Sequence, residues 1–260
     1  MVKLEPIETL TIFPGRSKSN ESENFEPIVI KPGDIISVVG PTGSGKTAFI
    51  NDIEVFAQND TVTGRRVLVN GKDPPEEFVR DPAHKPISSI TQNTKCLADL
   101  SVGDFIKMHI RARKNGGDDL LDKTIEVANR FTGENIDQNS RLAALSGGQT
   151  RSLLIADAIV ISNAPILLLD EIENAGIYKD KVIESLRELK KSVIFVTHDP
   201  YISLLSDRRI VMGNGAVRSV ITSNGSEKAT LEKIGKIDAV LSGVRERIRS
   251  GEIVSDLEVA

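Results

Sequence analysis

The sequence predicts an α/β fold, in which helices flank a mixed, largely parallel sheet, with an antiparallel β part and an inserted α-helical lobe. Three short apolar runs are typical of strands buried on both faces: residues 34–39, 165–169 and 192–197. Helical segments at 47–57 and 178–190 alternate with these runs, which indicates parallel crossover units. An all-helical stretch at 101–131 lies between the two α/β portions, so it is predicted to be a separate lobe.

The remaining strands are predicted from alternation and turn residues. Residues 7–13 alternate in hydrophobicity, residues 65–70 end at an Asn-Gly turn signal, and residues 86–91 form a further candidate strand. The polar segment 15–24 between them is expected to be a flexible loop. A hairpin is predicted around Asn214–Gly215, joining RRIVMG to AVRSVI.

The lobe and the flanking helices carry end signals. Ser101 and Asp104 have the spacing of a capping box that opens a helix to about Arg113, and a second helix is predicted from Asp118 to Phe131. A further helix is expected to follow Gly147 and to run to about residue 162. The predicted domains are a core of residues 1–92 and 146–222, a helical lobe of 93–145, and a helical tail of 223–260.

The tail has an apolar helical face. Its members follow helical spacing: Ile237, Val240, Leu241, Val244 and Ile248. This face is expected to pack on the body of the protein or on a second copy.

The composition of the chain limits the partners and the cellular location that can be expected. The formal net charge is −4 and there is no basic excess, so no nucleic-acid partner is expected. No apolar stretch is as long as the roughly 18 residues of a membrane span. Cys96 is the single cysteine, which rules out an intramolecular disulfide and suits a reducing cytoplasm. We therefore expect a cytoplasmic protein, or one held at the inner face of the membrane through a partner.

A phosphate-binding motif follows the strand at 34–39. Its eight residues match G-x-x-x-x-G-K-[ST]: Gly40, Pro41, Thr42, Gly43, Ser44, Gly45, Lys46 and Thr47. Glycines let the backbone N–H groups surround phosphate, and the helix predicted from residue 47 adds partial positive charge, so Ala48 is also expected to bind the nucleotide. Lys46 is expected to reach the β and γ phosphates, and the Thr47 hydroxyl to ligate Mg²⁺. The motif predicts a P-loop NTPase core that binds ATP and Mg²⁺.

Two carboxylates follow the apolar run at 166–169. The strand delivers Asp170 and Glu171 to its carboxyl end, where α/β sheets place their ligands. Asp170 is expected to hold the metal through water, and Glu171 to act as general base on the attacking water.

The order of the remaining motifs resembles the ATP-binding cassette (ABC) family. Leu145-Ser146-Gly147-Gly148-Gln149 is similar to the family's LSGGQ signature. Gln92, after the strand at 86–91, matches the glutamine loop, and His198 matches the histidine switch. The resemblance extends from about residue 7 to 222.

The resemblance implies a mechanism in which two subunits, identical or different, sandwich two ATP molecules head to tail. The signature residues Ser146, Gly147, Gly148 and Gln149 of one subunit would face the phosphate loop of the other. The resemblance further implies that Gln92 contacts Mg²⁺ and the attacking water, and that His198 contacts the γ-phosphate. The family stacks an aromatic residue on adenine; Phe13 is the candidate and Phe25 the alternative, with a core role open for either.

One loop departs from the family. After Glu171, transporter ATPases usually continue Pro-Thr-Ser-Ala-Leu-Asp, whereas residues 172–177 here read Ile-Glu-Asn-Ala-Gly-Ile. Ile177 thus replaces an aspartate that helps to join the two sites across the dimer. Two functions remain open: the ATPase subunit of a membrane transporter, docked on transmembrane subunits near Gln92 and the lobe, or a soluble ATP-driven switch acting on a protein complex or metalloenzyme.

Overall fold

The computed structural model of the 260-residue chain describes residues 6–81, 84–91, 99–113, 117, 119–162, 164–172 and 176–255. The strands are β1 (Leu10–Phe13), β2 (Ile28–Ile30), β3 (Ile35–Val39), β4 (Arg66–Val69), β5 (Ile87–Ile90), β6 (Ile166–Asp170), β7 (Ser192–Val196), β8 (Arg208–Gly213) and β9 (Ala216–Thr222). The helices are α1 (Lys46–Glu54), α2 (Glu76–Arg80), α3 (Val102–Ala112), α4 (Leu120–Arg130), α5 (Gly147–Val160), α6 (Lys179–Glu188), α7 (Pro200–Leu205) and α8 (Gly225–Arg249).

The strands form two sheets. The larger has the order β5-β6-β7-β3-β8-β9, and each neighbouring pair is parallel except the β8–β9 hairpin. The smaller sheet is antiparallel, in the order β2-β1-β4. The mixed α/β fold predicted from the sequence is confirmed, and so is the hairpin around Asn214–Gly215.

Three apolar clusters hold the layers together. One joins the antiparallel sheet and α1 to one face of the larger sheet, and a second covers the opposite face with α5 and α6. The third lies among α3, α4 and α5, around Val102, Ile106 and Leu153. Because α5 supplies residues to both the second and the third cluster, it links the helical lobe to the sheet. The boundary between core and lobe at residues 145–146 stays a prediction.

One expectation about local structure was wrong. The segment 15–24 is a hydrogen-bonded turn rather than a flexible loop: Arg16 bridges Ser22, and the carboxylate of Glu23 is buried against Arg65. Of the two partners expected for the apolar face of the tail, the body leaves Ile237 and Leu241 about half exposed in α8, and packing on a second copy stays a prediction. Strand β2, helix α2 and helix α7 were not predicted; each is shorter than a periodic pattern can reveal.

Among the residues that the structure describes, no helix combines the length and the apolar character needed to cross a membrane.

Candidate nucleotide site

Three neighbouring strands bring the predicted site residues to one edge of the larger sheet. The phosphate loop follows β3, His198 follows β7, and Asp170 ends β6, while the sheet order is β6-β7-β3. The strands are parallel, so their carboxyl ends lie side by side. This is the edge at which α/β sheets bind ligands.

Glycines shape the phosphate loop. Gly40, Gly43 and Gly45 have φ angles of 151°, 77° and 100°, in a region that L side chains rarely adopt. A Cβ at Gly40 would lie 2.5 Å from the carbonyl oxygen of Met212, and a Cβ at Gly45 would lie 2.7 Å from the Cα of Gly215. The loop is therefore packed against the β8–β9 hairpin as closely as the backbone allows.

The polar groups of this loop fit a phosphate ligand. Lys46 is buried, and its Nζ donates to the carbonyl oxygens of Gly40 at 2.8 Å and Pro41 at 3.3 Å. The Ser44 Oγ is buried and has no hydrogen-bond partner in the described part of the chain. Helix α1 begins without a side-chain cap or an acidic residue in its first turn, so its N-terminal amides face no competing anion. Thr47 and Ala48 follow Lys46 in this turn, and Thr47 is exposed.

A buried ion network supports the loop from behind. The guanidinium of Arg65 donates to Glu23 Oε1 at 2.6 Å and to Asp52 Oδ2 at 2.9 Å, and all three side chains are buried. The same guanidinium donates to the carbonyl oxygen of Gly215 at 2.9 Å, and the Gly215 N–H donates to the Ser44 carbonyl at 2.8 Å. This chain of contacts connects the antiparallel sheet to the phosphate loop.

A second cation touches the loop from outside. The Nζ of Lys18 donates to the carbonyl oxygen of Gly43 at 2.8 Å. The backbone N–H of Lys18 donates to the Asn214 carbonyl, which fixes the turn at 15–24 over the hairpin. Sequence reasoning missed both Lys18 and Arg65, because no motif or spacing connects them to the phosphate loop.

The acidic side of the site is built at the end of β6. Glu171 has a φ of 49°, in the left-handed region, and its N–H donates to the Val196 carbonyl at 2.9 Å. Its own carbonyl accepts from the Arg151 Nη1 at 2.8 Å. These bonds hold a backbone conformation that costs energy in a non-glycine residue. The Glu171 Oε1 lies 3.9 Å from the Nε2 of His198. The carboxylate of Glu171 and the imidazole of His198 thus lie close together at the carboxyl ends of β6 and β7, next to the strand β3 that leads into the phosphate loop.

The signature residues form the start of α5. Ser146 and Gln149 close a reciprocal capping box: the Ser146 Oγ accepts from the Gln149 N–H at 3.2 Å, and the Ser146 N–H donates to Gln149 Oε1 at 2.9 Å. Gly147 is exposed and carries no side chain, whereas Gly148 is buried. The helix therefore presents its first turn at the surface.

The other predicted residues are placed as follows. Phe13 is partly exposed at the end of β1, and Phe25 packs partly against the first apolar cluster. Gln92 lies outside the described residues, as does 173–175 of the altered loop. Ile172 and Ile177, at the ends of that loop, are both buried in the second cluster. The side chain of Ile177 is therefore packed in the second apolar cluster of its own chain.

Similarity to known proteins identifies the family of this chain. Residues 27–174 match the family described as ABC transporter. An uncharacterised ABC transporter ATP-binding protein of Methanocaldococcus jannaschii is 46% identical over 254 residues, covering 98% of this chain and 97% of that protein. The chain therefore belongs to the ABC transporter family and is an ATP-binding cassette of the ATPase type.

Particular relatives share parts of the chain. The spermidine/putrescine import ATP-binding protein PotA of Bacteroides fragilis is 32% identical over 203 residues, covering 74% of this chain but 42% of PotA. Among solved structures, cbiO1 of Clostridium perfringens, part of the transporter complex cbiONQ, superposes with a TM-score of 0.64 at 20% identity, over 93% of this chain and 100% of that one. A dimeric ATP-binding cassette bound to ADP and Pi gives 0.62 at 22% identity, over 83% and 99%. At 20–22% sequence identity, the similarity to these two structures shows a shared fold.

Proposed function

We propose that the protein hydrolyses ATP between two cassette subunits and thereby energises a membrane transporter. The observation that carries the proposal is the proximity of Glu171 and His198. The Glu171 Oε1 lies 3.9 Å from the His198 Nε2, at the edge of the sheet where the phosphate loop lies. A carboxylate so placed suits the removal of a proton from an attacking water. The imidazole of His198 would donate to the γ-phosphate.

The loop residues would bind the triphosphate. Backbone N–H groups of residues 42–48 would surround the phosphates, and Lys46 would exchange its contacts with the Gly40 and Pro41 carbonyls for β- and γ-phosphate oxygens. Thr47, Asp170 and Gln92 are the residues proposed to hold Mg²⁺, which would supply positive charge beside the phosphates. Phe13 would stack on adenine. The first turn of α5, from Ser146 to Gln149, would bind the γ-phosphate held by the opposing subunit.

Substitution of Glu171 by Gln tests the chemistry. The amide keeps the shape of the side chain but takes up no proton, so we expect ATP turnover to fall by about 10²- to 10⁴-fold while MgATP binding is retained. The readouts are phosphate release and nucleotide titration. Glu184→Gln is the control, since Glu184 is exposed on α6 and its loss should leave turnover unchanged. Normal turnover in the Glu171→Gln protein would exclude Glu171 as the base.

A groove beside β5 is the proposed dock for transmembrane subunits. It has a volume of about 300 Å³ and is lined by charged residues of several elements, among them Glu54, Lys85, Arg113 and Asp157. The strand β5 borders the groove and ends two residues before Gln92 in the sequence, so the chain connects the proposed dock to the proposed metal ligand. We therefore propose that the protein lies at the inner face of a membrane, where the transmembrane subunits would hold it.

The alternative is a soluble ATP-driven switch on a protein complex. It is favoured by the altered loop, because the aspartate that joins subunits in transporters is a buried isoleucine here. Purification of the tagged protein from its own cells, with membrane and soluble fractions kept apart, separates the two. Integral membrane subunits recovered in detergent support transport, whereas a purely soluble complex would exclude it.

A further inference from the structure

Helix α8 carries an apolar stripe that the body of the protein leaves uncovered. Ile237, Leu241 and Ile248 are 47%, 45% and 61% exposed, and Val244 is partly exposed. These four residues, here called the α8 seam, follow one another at intervals of four, three and four. Alternation of three and four places apolar side chains along one line of a helix, and it is the spacing of a helix that packs against a second helix.

A different face of α8 contacts the body. Glu227 forms an ion pair with Arg209, and Asp238 accepts from Lys179 Nζ at 3.4 Å. Gly235 lies against the Tyr201 ring, at a distance of 3.2 Å from the position of a Cβ. At 3.6 residues per turn, the seam lies roughly 100° around the helix from this face. The seam is therefore directed sideways, and the contacts with the body come from residues 227–238 of the 25-residue helix.

Two side chains of the body that contact α8, Tyr201 and Lys179, are themselves held by neighbouring residues. The Tyr201 hydroxyl donates to Asp180 Oδ1 at 2.6 Å, and burial together with this bond raises the pKa of Tyr201, so that it remains a neutral donor. Lys179 lies between Asp199, the cap of α7, and Asp238 of α8. Because these contacts fix the rotation of α8, its seam points in a defined direction.

We propose that the α8 seam pairs, antiparallel, with the α8 seam of a second copy of this chain. In that register Ile237 meets Ile248 of the other copy, and Leu241 meets Val244, so each seam residue has an apolar partner. Asp238 of one copy then lies opposite Arg245 of the other, at the edge of the seam, and this attraction occurs twice by symmetry. A surface whose apolar and charged residues pair with their own counterparts is the property of a two-fold interface.

The antiparallel orientation, unlike the pairing itself, rests on the proposed sandwich. Since the body contacts residues 227–238 and the seam spans 237–248, antiparallel helices hold their two bodies on the same side of the helix pair. At 1.5 Å per residue the two attachment points are separated by about 30 Å along the axis. Parallel helices would instead place the bodies on opposite sides, where two cassettes cannot face each other.

Disulfide trapping tests the pairing and its direction. Proteins carrying Ile237→Cys or Ile248→Cys, each with Cys96→Ser, are oxidised alone and as a mixture without nucleotide. We expect a covalent dimer in the mixture and little in either protein alone. The control is a mixture of the Lys236→Cys and Ile248→Cys proteins, which should give little dimer, because Lys236 is exposed and does not belong to the seam.

Each other result overturns the proposal. Dimers of each protein alone, as abundant as in the mixture, would mean a parallel or unspecific contact. Absence of any dimer would mean that something other than a second copy covers the seam. Neither result bears on hydrolysis, which the Glu171→Gln protein tests separately.

The oligomeric state of the full chain gives an independent readout. The seam is short, so we expect the light-scattering mass to rise toward that of a dimer only as the concentration is raised. Leu241→Glu should abolish this rise with an unchanged circular dichroism spectrum, because the side chain it replaces is half exposed. Lys236→Glu should leave it intact. An equal rise in the Leu241→Glu protein would also overturn the proposal.

Discussion

At the scale of single residues, the least replaceable side chain outside the reacting groups is Arg65. It is fully buried and donates to two carboxylates and to the Gly215 carbonyl. Removal of one partner from a buried ion network leaves the other charges uncompensated, at a cost of about 3–5 kcal/mol. We expect Arg65→Ala to lower the free energy of unfolding, measured by urea denaturation, by this amount.

Its neighbour is a matched control. Arg66 forms an exposed ion pair with Asp73, and such pairs contribute about 0–1 kcal/mol. Arg66→Ala should therefore change the free energy of unfolding little. Similar losses in the two variants would mean that the network around Arg65 does not stabilise the protein.

Gly45 ties the phosphate loop to the hairpin. A methyl group there would meet the Cα of Gly215 at 2.7 Å, and the φ of 100° is unfavourable for alanine. We expect Gly45→Ala to weaken ATP binding by more than about tenfold, equal to about 1.4 kcal/mol. Gly64→Ala, at a φ of 62° with no atom within 4 Å of the new methyl, should keep its ATP affinity. Nucleotide titration of both proteins decides; equal affinities would contradict the close packing.

At the scale of elements, two helix caps separate stability from function. Ser101 caps α3 and Ser146 caps α5, and each accepts a hydrogen bond from the amide three residues on. Replacement of either by Ala should cost about 1 kcal/mol of stability. Only Ser146→Ala should also lower ATP turnover, since only α5 is proposed to bind nucleotide. An equal effect of both substitutions on turnover would make Ser146 a structural cap alone.

The sequence predicts the elements better than the contacts between them. The strands β3, β6 and β7 are continuous apolar runs, and the cap of α3 has a local signature in Ser101 and Asp104, so they were predicted near their observed bounds. Glu23 and Arg65, by contrast, are separated by 42 residues and look like ordinary surface charges in the sequence. Their pairing depends on how the two sheets pack against each other, and the hydrophobic periodicity of the sequence does not predict this packing.

The candidate site divides in the same way. Phosphate-loop, carboxylate and signature residues could be proposed because each has a fixed spacing and a chemical reason. The contact of Lys18 with the Gly43 carbonyl could not, because it is made by a turn that the sequence presents only as polar. Ile177 was recognised as a departure from the family, yet its burial in the core became visible only with the fold.

At the scale of the whole molecule, two dimer contacts would share one two-fold axis. The proposed nucleotide sandwich would require MgATP, whereas the proposed α8 pair would form without nucleotide. Lys179 begins α6, two residues after the altered loop, and it contacts α8 through Asp238. The tail is thus attached two residues beyond Ile177, where the altered loop ends, and the two proposed contacts would lie within reach of each other if this loop adjoins the sandwich.

Shared symmetry leads to a prediction about dimer affinity. When one contact has formed, the second forms within the same complex and so at a high effective concentration. We expect the Glu171→Gln protein to dimerise at saturating MgATP, and the same protein with Leu241→Glu to need at least about tenfold more protein, equal to about 1.4 kcal/mol. Lys236→Glu in the same background should have no effect. Sedimentation at a series of concentrations measures all three. If the protein with Leu241→Glu dimerised with MgATP as tightly as its parent, the two contacts would act in separate assemblies. If the Glu171→Gln protein stayed monomeric at saturating MgATP, a sandwich of identical subunits would be excluded.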